Sequence, residues 1–435
     1  MGSSWAAMSR LLRRSGFGTT GAAVDTAMGA GPQAYVSTML AADPNQDPGA
    51  LATPVPTFTA IARPGKDATK DERQQVNQQY AAQAATLAQW WIRRMIAVDQ
   101  PFGEKLTFAW HNHFATSFSK VRGAQLMAKQ NATLRALGRG DFHTLALAML
   151  TDAAMLRWLD GEQNTAGAAN ENLSREFMEL FTLGHPTSSG GYTETDVREG
   201  ARALTGWRIR DDGATYLNPR LHDSGSKTVL GVTGNLDQTG FCSAVLAAAW
   251  GPRYLATRWW GQLASDAAPA SGVVDALTHA YGPQRSLTAL FTALFTAPEF
   301  DQGAMVVNPV EWAIGAARAL KVPATDKSVK QLAGVLRALG QLPFSPPNVS
   351  GWPSAQAWLS TASADLRLRA AAAIVNSGDV SAVTSASASS RLDVTAHLLG
   401  IATWSSSSAA ALKPSIGTPA ELVTLALNTP EYLTN

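Results

Sequence analysis

The sequence predicts a mainly α protein: one large multihelical domain over residues 1–435, with a small β-hairpin excursion at 209–235. Three observations carry this. Residues that lose little side-chain freedom in a helix, chiefly Ala, Leu, Gln, Arg and Met, recur throughout the chain. The period-two alternation of half-buried strands is rare. Glycine and proline clusters cut the chain into runs of ten to twenty residues. With 46% hydrophobic residues among 435 the chain can bury a large core. No break in composition divides it, although the excursion separates two helical halves, 1–208 and 236–435.

The elements follow in order. Arg13 and Arg14 belong to a first short helix, and the N-terminal helical part ends near Leu40. Residues 43–70 read as a proline-containing loop. A long helix then runs from about Asp71 through Trp90, Trp91 and Met95 and stops before Pro101, because proline disfavours the helical conformation of the residue ahead of it. Further helices cover 102–114, 124–137, 141–159, 170–183 and 193–204. The last opens on Thr193 and Asp196, an acidic variant of the capping box. Beyond Trp207 the texture changes, with Asp212-Gly213, Asn218-Pro219 and Ser224-Gly225 set between short β-branched pieces. Helices resume at about Asp237, interrupted by serine- and alanine-rich connectors at 376–390 and 404–417. Pro298-Glu299 and Pro430-Glu431 each read as a helix start, where proline loses no hydrogen bond and the acid meets the positive end of the dipole.

Charge and cysteine content narrow the function classes. Lys plus Arg number 35 against 33 Asp plus Glu, a net charge of +2, so the basic field that nucleic-acid binding requires is missing and no nucleic-acid partner is expected. Cys242 is the only cysteine and lies in an apolar run, which reads as a buried thiol and rules out intrachain disulfides and thiolate zinc sites. The start has no apolar stretch ahead of a small-residue cleavage site, from which a cytoplasmic location is expected. No apolar run approaches the roughly 20 residues that cross a bilayer, so no membrane span is expected.

The most informative segment is Asn170 to Gly184, NENLSREFMELFTLG. At about 100° per residue, Leu173, Phe177, Leu180 and Phe181 form an apolar stripe, while Glu171, Arg175 and Glu179 form an (i, i+4) ladder opposite. Glu176 falls between the two and is the carboxylate expected to be partly buried, where it needs a partner or a proton. The segment is therefore either an acid/base or metal-ligand cluster, or a set of charges satisfied by Arg175 and neighbouring helices. Within Trp110 to Phe114, His111 and His113 lie about 200° apart around a helix. That helix alone cannot bring both to one ion. Together with Glu171 they are the candidate ligands for a divalent metal; the alternative is a hydrogen-bonded place in the core.

Two further segments could carry chemistry. His222 to Lys227 holds an imidazole, a carboxylate and an ammonium within one turn, enough for anion binding or proton transfer if they converge, and equally an ordinary polar turn. Pro346 to Pro353 presents Trp352 either as the wall of a binding cleft or as part of a clamp between helices. Thirteen tryptophans fit sugar stacking as well as core packing. The expected roles are Glu176, Glu179 and His222 in acid/base chemistry, and Arg175, Lys227 and Trp352 in holding a substrate.

Taken in order, the motifs resemble the bacterial family called domain of unknown function 1800, nearly end to end. They are LLRRSGFG at 11–18, WWIRRM at 90–95, EKLTFAWHNHF at 104–114, AMLRWLD at 154–160, NENLSREFMELFTLG at 170–184, YTETDVREGARALTGW at 192–207, HDSGSK at 222–227 and PPNVSGWP at 346–353. The resemblance implies a largely helical fold. Many members resemble exported proteins encoded beside a second family similar to sulfatases and alkaline phosphatases, which implies export and a sulfatase-like or phosphatase-like partner. It supplies no catalytic residues. Two functions stay open: a metal- or acid/base-assisted hydrolase acting on a glycan, sulfated or phosphorylated compound, or a non-catalytic helical partner or scaffold for a neighbouring hydrolase. Convergence of Glu176, His113 and His222 on one open cleft favours the first; separate closed networks favour the second.

Overall fold

A computed structural model describes residues 4–62, 64–186 and 191–435. Residues 1–3, at the start of the segment searched for a leader, and residue 63, in the proline-containing loop, lie outside the described residues, as do 187–190. Twenty-four α-helices and two two-stranded antiparallel sheets are present among the described residues, so the protein is mainly α.

The helices start where local chemistry provides partners for their free N–H groups. Lys70–Ala97 begins at a capping box between Thr69 and Glu72 and ends at Val98, ahead of Pro101. Glu194–Ala203 begins at the box formed by Thr193 and Asp196. Phe102–His113 follows the long helix and is buried along most of its length. Its Phe102, Leu106, Ala109 and Trp110 enter an apolar cluster with the N-terminal helices and much of 134–300, while its Phe108 enters a second cluster built from 87–128 and 307–432. Each core thus has this helix as one wall. Arg14, fully buried, donates to the carbonyls of Phe300, Gly303 and Asn435 and ties the first helix to the end of the chain.

Several boundaries differ from expectation for identifiable reasons. The helix expected over 141–159 divides into Phe142–Leu150 and Ala153–Trp158. Asp152 makes the break: its carboxylate accepts from the Met155 N–H at 2.9 Å and from Gln130 Nε2 at 2.7 Å, restarting the helix as a new N-cap. The loop over 43–70 contains the short helix Pro48–Leu51, capped by Asp47. The two serine-rich connectors are partly helical. Ser381–Ser385 lies in the first, and Ser406–Leu412, capped by Ser405, runs into the 3-10 turn Lys413–Gly417 in the second. The β excursion is two hairpins, pairing Trp207 with Leu217 and Lys227 with Gly234.

The segment 170–183 departs most from a simple helix. Only Asn172–Glu176 is α-helical; Phe177–Thr182 is a π-helix, closed by the Leu183 N–H to the Met178 carbonyl at 2.8 Å. Such wide turns are rare and often occur at functional positions.

Candidate functional site

The π turn decides where the carboxylates point. Its wider spacing breaks the α register, so the expected ladder is only half made. Arg175 meets Glu171 at 2.9 Å and grips Glu194 of the following helix at 2.8 and 2.7 Å, while Glu179 turns to His185 Nδ1 at 3.0 Å. Glu176 lies half-buried beside it. Burial, then the charge of Glu179, push its carboxyl above the usual carboxylate range. The same two influences push up the Tyr192 phenol. Glu176 thus lies beside a second carboxylate whose charge, added to burial, favours its protonated form.

The end of the π turn also presents two free carbonyls, and both are taken. The Tyr254 hydroxyl donates to Leu180 O at 2.6 Å, and His113 Nε2 bonds Phe181 O at 3.0 Å. Since a carbonyl only accepts, the His113 proton sits on Nε2. Its bare Nδ1 is buried without a hydrogen-bond partner among the described residues, in an aromatic cage of Trp110, Phe114, Phe181 and Trp259. His111 points the other way, against Trp91, Phe344 and Trp352. Burial pushes both imidazoles down to about 3, with the nearby Arg258 charge adding to the effect at His113, so both are neutral. Arg258 itself is partly buried, and its Nε meets no acceptor among the described residues.

The expected metal set therefore does not assemble. His111 lies on the side of the second core and His113 on that of the first, while Glu171 sits near the surface on Arg175. The cause is the roughly 200° separation of the two imidazoles on one helix. Among the described residues, no three His, Cys, Asp or Glu side chains are grouped to hold an ion.

His222 and Lys227 belong elsewhere. His222 Nδ1 bonds Thr205 O at 2.9 Å, just past the end of the Glu194–Ala203 helix. Glu179 and Tyr192 lie before its start, and ten residues at 1.5 Å rise place about 15 Å between the two ends. Around His222 the charges close on themselves. Arg202 holds Asp223 at 2.7 and 3.2 Å and Glu199 at 2.9 and 3.0 Å; Lys227 Nζ, itself buried, donates to Gly225 O at 2.9 Å and Asn235 Oδ1 at 3.2 Å. Arg175 and Lys227 are thus separated and spent, and do not meet on one anion.

Trp352 is buried and its ring stacks on Phe108 at 5.2 Å, while its backbone N–H donates to Asn112 Oδ1 at 2.7 Å. Gly351 takes a φ of +87°, and a Cβ there would lie 2.3 Å from Asn112 Oδ1. Only glycine lets this loop close on the central helix, so the motif packs as a clamp. Beside it, Lys105, Asn112, Gln262, Asn308 and Glu311 line a cavity with about 40 Å³ of free volume. That admits roughly two or three waters, far below the several hundred Å³ of an ordinary ligand pocket.

A deeply buried charged cluster was not singled out from the sequence. Glu104, 1% exposed, accepts from Arg94 Nε at 2.7 Å, from Arg135 Nε and Nη2 at 2.8 and 2.7 Å, and from Trp91 Nε1 at 2.7 Å. One position along the helix, Lys105 pairs with Glu311 in equal burial, and Glu311 also takes Asn308. The available signal was the adjacent Glu104-Lys105 within an otherwise apolar run, matched by Arg94 beside two tryptophans.

The fold and the placement of these groups define a class: a multihelical protein whose polar motifs tie separate segments of the chain together. The chain belongs to the family described as protein of unknown function, DUF1800, whose model matches residues 10–434. No curated protein and no solved structure matches it. No helix among the described residues is long and apolar enough to cross a membrane.

Proposed function

We propose that this protein is a non-catalytic helical partner, or scaffold, for a neighbouring hydrolase of the sulfatase-like or phosphatase-like kind. One observation supports this best: Glu176, His113 and His222 enter three different sets of contacts instead of facing one hollow. Buried and half-buried charges used this way fix which helices pack together and at what register. Arg175 and Lys227 each serve such a set.

A second reading has one observation in its favour. Glu176 carries a raised carboxyl beside Glu179, as the acid of a hydrolase acting on a glycan, sulfated or phosphorylated compound would. The two readings differ in what Glu176→Gln does. Purified protein is assayed on nitrophenyl sulfate, phosphate and glycoside substrates, and separately for complex formation with the neighbouring hydrolase. The scaffold reading expects no turnover and a complex that Glu176→Gln leaves intact. Turnover that disappears in Glu176→Gln would overturn it.

A further inference from the structure

Two contiguous hollows flank the exposed face of the first helix, Trp5–Ser15, on the side away from the Glu176 motif in sequence and contacts. They share Ile401, Ala402 and Thr403. The larger has about 470 Å³ of free volume between Trp5, Asp393, His397 and Trp404; the smaller, about 300 Å³, continues past Ser9 and Arg10 to Glu431. Both reach the lower range of small-ligand sites.

Eight of the thirteen tryptophans are buried, at 90, 91, 110, 259, 260, 312, 352 and 358. Trp5 and Trp404 are half-buried instead and form walls of the larger hollow. Their ring N–H groups are already committed. Trp5 Nε1 donates to Asp25 Oδ1 at 2.8 Å and Trp404 Nε1 to Leu392 O at 3.0 Å. The second Asp25 oxygen receives His397 Nε2 at 2.8 Å. Each indole is therefore held at its polar edge and packed in part on the core, with Trp5 also 6.3 Å from the His397 ring, so the part that lines the hollow need not be ordered when a ligand stacks on it. His397 is seated directly over Gly21, where a Cβ would lie 2.2 Å from the ring. With Nε2 turned to Asp25, Nδ1 is the ring nitrogen of His397 left for another partner. Asp393 makes no hydrogen bond or ion pair among the described residues, and Thr403 adds a hydroxyl to the shared strip.

Three of the groove's charged side chains already have partners, while the Asp393 carboxylate has none among the described residues. Arg13 spends both terminal nitrogens on the Glu431 and Tyr432 carbonyls, Arg10 donates to the Asp301 carbonyl, and Glu431 accepts from the Ser405 N–H and the Ser408 hydroxyl. Flat apolar walls combined with a sparse set of acceptors and a hydroxyl match a molecule with apolar C–H faces and a rim of hydroxyls. We propose that this groove binds a neutral oligosaccharide, with Trp5 and Trp404 as stacking platforms and Asp393, His397 and Thr403 as partners for ring hydroxyls. This does not depend on the scaffold reading, and Glu176→Gln should not affect it.

The test titrates the intact protein with three neutral hexasaccharides, a β-1,4-glucan, an α-1,4-glucan and a β-1,4-linked N-acetylglucosamine chain, following tryptophan fluorescence and heat. At least one is expected to bind, with an affinity unchanged by added salt. Trp404→Ala should weaken it about tenfold, equivalent to one lost stacking contact of about 1.4 kcal/mol. Ala402→Trp, at an exposed position between the two lobes, should block it while circular dichroism stays native; Trp250→Ala should leave it unchanged. The proposal is overturned if none of the three binds, if Ala402→Trp and Trp404→Ala bind as the parent does, or if tetramethylammonium competes and salt abolishes binding, which would mark a cation site.

Discussion

Glutamine at position 104 preserves the shape of the side chain and removes its charge, so it isolates what that charge contributes. Both carboxylate oxygens of Glu104 are used: Oε1 takes Arg94 Nε and Arg135 Nε, and Oε2 takes Trp91 Nε1 and Arg135 Nη2. Arg94 and Arg135 are each 5% exposed. An amide must turn an NH2 toward at least one pair of these donors, and two buried guanidiniums lose their counter-charge. Stranding one side of a buried ion pair costs about 3–5 kcal/mol. That figure already contains the unmet hydrogen bonds, so they are not added again. Against a total stability of about 5–15 kcal/mol, the loss is large. Guanidinium unfolding followed by far-UV circular dichroism should show a lower midpoint with an unchanged slope, since the surface exposed on unfolding is the same. Burial alone would raise this carboxyl, but Arg135 and then Arg94 hold it below the usual range. A folded value below the unfolded one means the contribution is present at neutral pH and fades as pH falls through the carboxylate range toward the folded value. Glu104→Gln should therefore also remove part of the acid sensitivity. A loss under about 1 kcal/mol, well short of that range, would refute the reasoning.

Other outcomes follow from the same contacts. Burial holds His111 and His113 near 3, below the ordinary value of about 6.5, so the unfolded chain binds the extra protons. Stability should thus fall as pH drops from about 6.5 toward 3, by up to about 1.4 kcal/mol per unit for each imidazole, and His111→Phe should remove one share of the slope in urea titrations between about pH 6 and 5. Gly351→Ala forces a side chain into a φ of +87° and against Asn112, and should cost more than about 1 kcal/mol in thermal melts, whereas Gly417→Ala, with nothing within 4 Å, should be close to neutral. We propose that 1–435 is a single domain, because Phe102–His113 contributes to both apolar clusters; calorimetry should then show one unfolding transition, and two separated transitions would contradict it.

Much of the helical order was legible because it is local. The box at Thr193 and the stop ahead of Pro101 are read from a few adjacent residues. The hairpin texture near Gly213 and the burial of Cys242 were legible for the same reason. Asp152 was not, because it looks like a polar residue within one periodic run, and only the Gln130 side chain from another helix explains why it restarts the helix there. The π turn was equally hidden. An α register predicts Glu179 on Arg175, and nothing in the segment itself says that Tyr254 and His113 will take up the carbonyls of a wider turn. The opposed directions of His111 and His113 were readable from their spacing, but their partners, contributed by 181, 259, 344 and 352, were not. The roles of Glu104 and Lys105 were not legible because each is a single charge in apolar surroundings whose partners, Arg94, Arg135 and Glu311, come from other helices.

The central claim is that the polar motifs form separate networks, and a double-mutant cycle between Glu179→Gln and His222→Gln tests it most directly. Unfolding free energies of the parent, both single variants and the pair should add within about 0.5 kcal/mol, as expected for groups without shared partners. Glu104→Gln with Arg135→Met, measured alongside, should couple strongly. A coupling above about 1 kcal/mol between Glu179 and His222 would mean that they share one site after all, and the account of separate braces would fail.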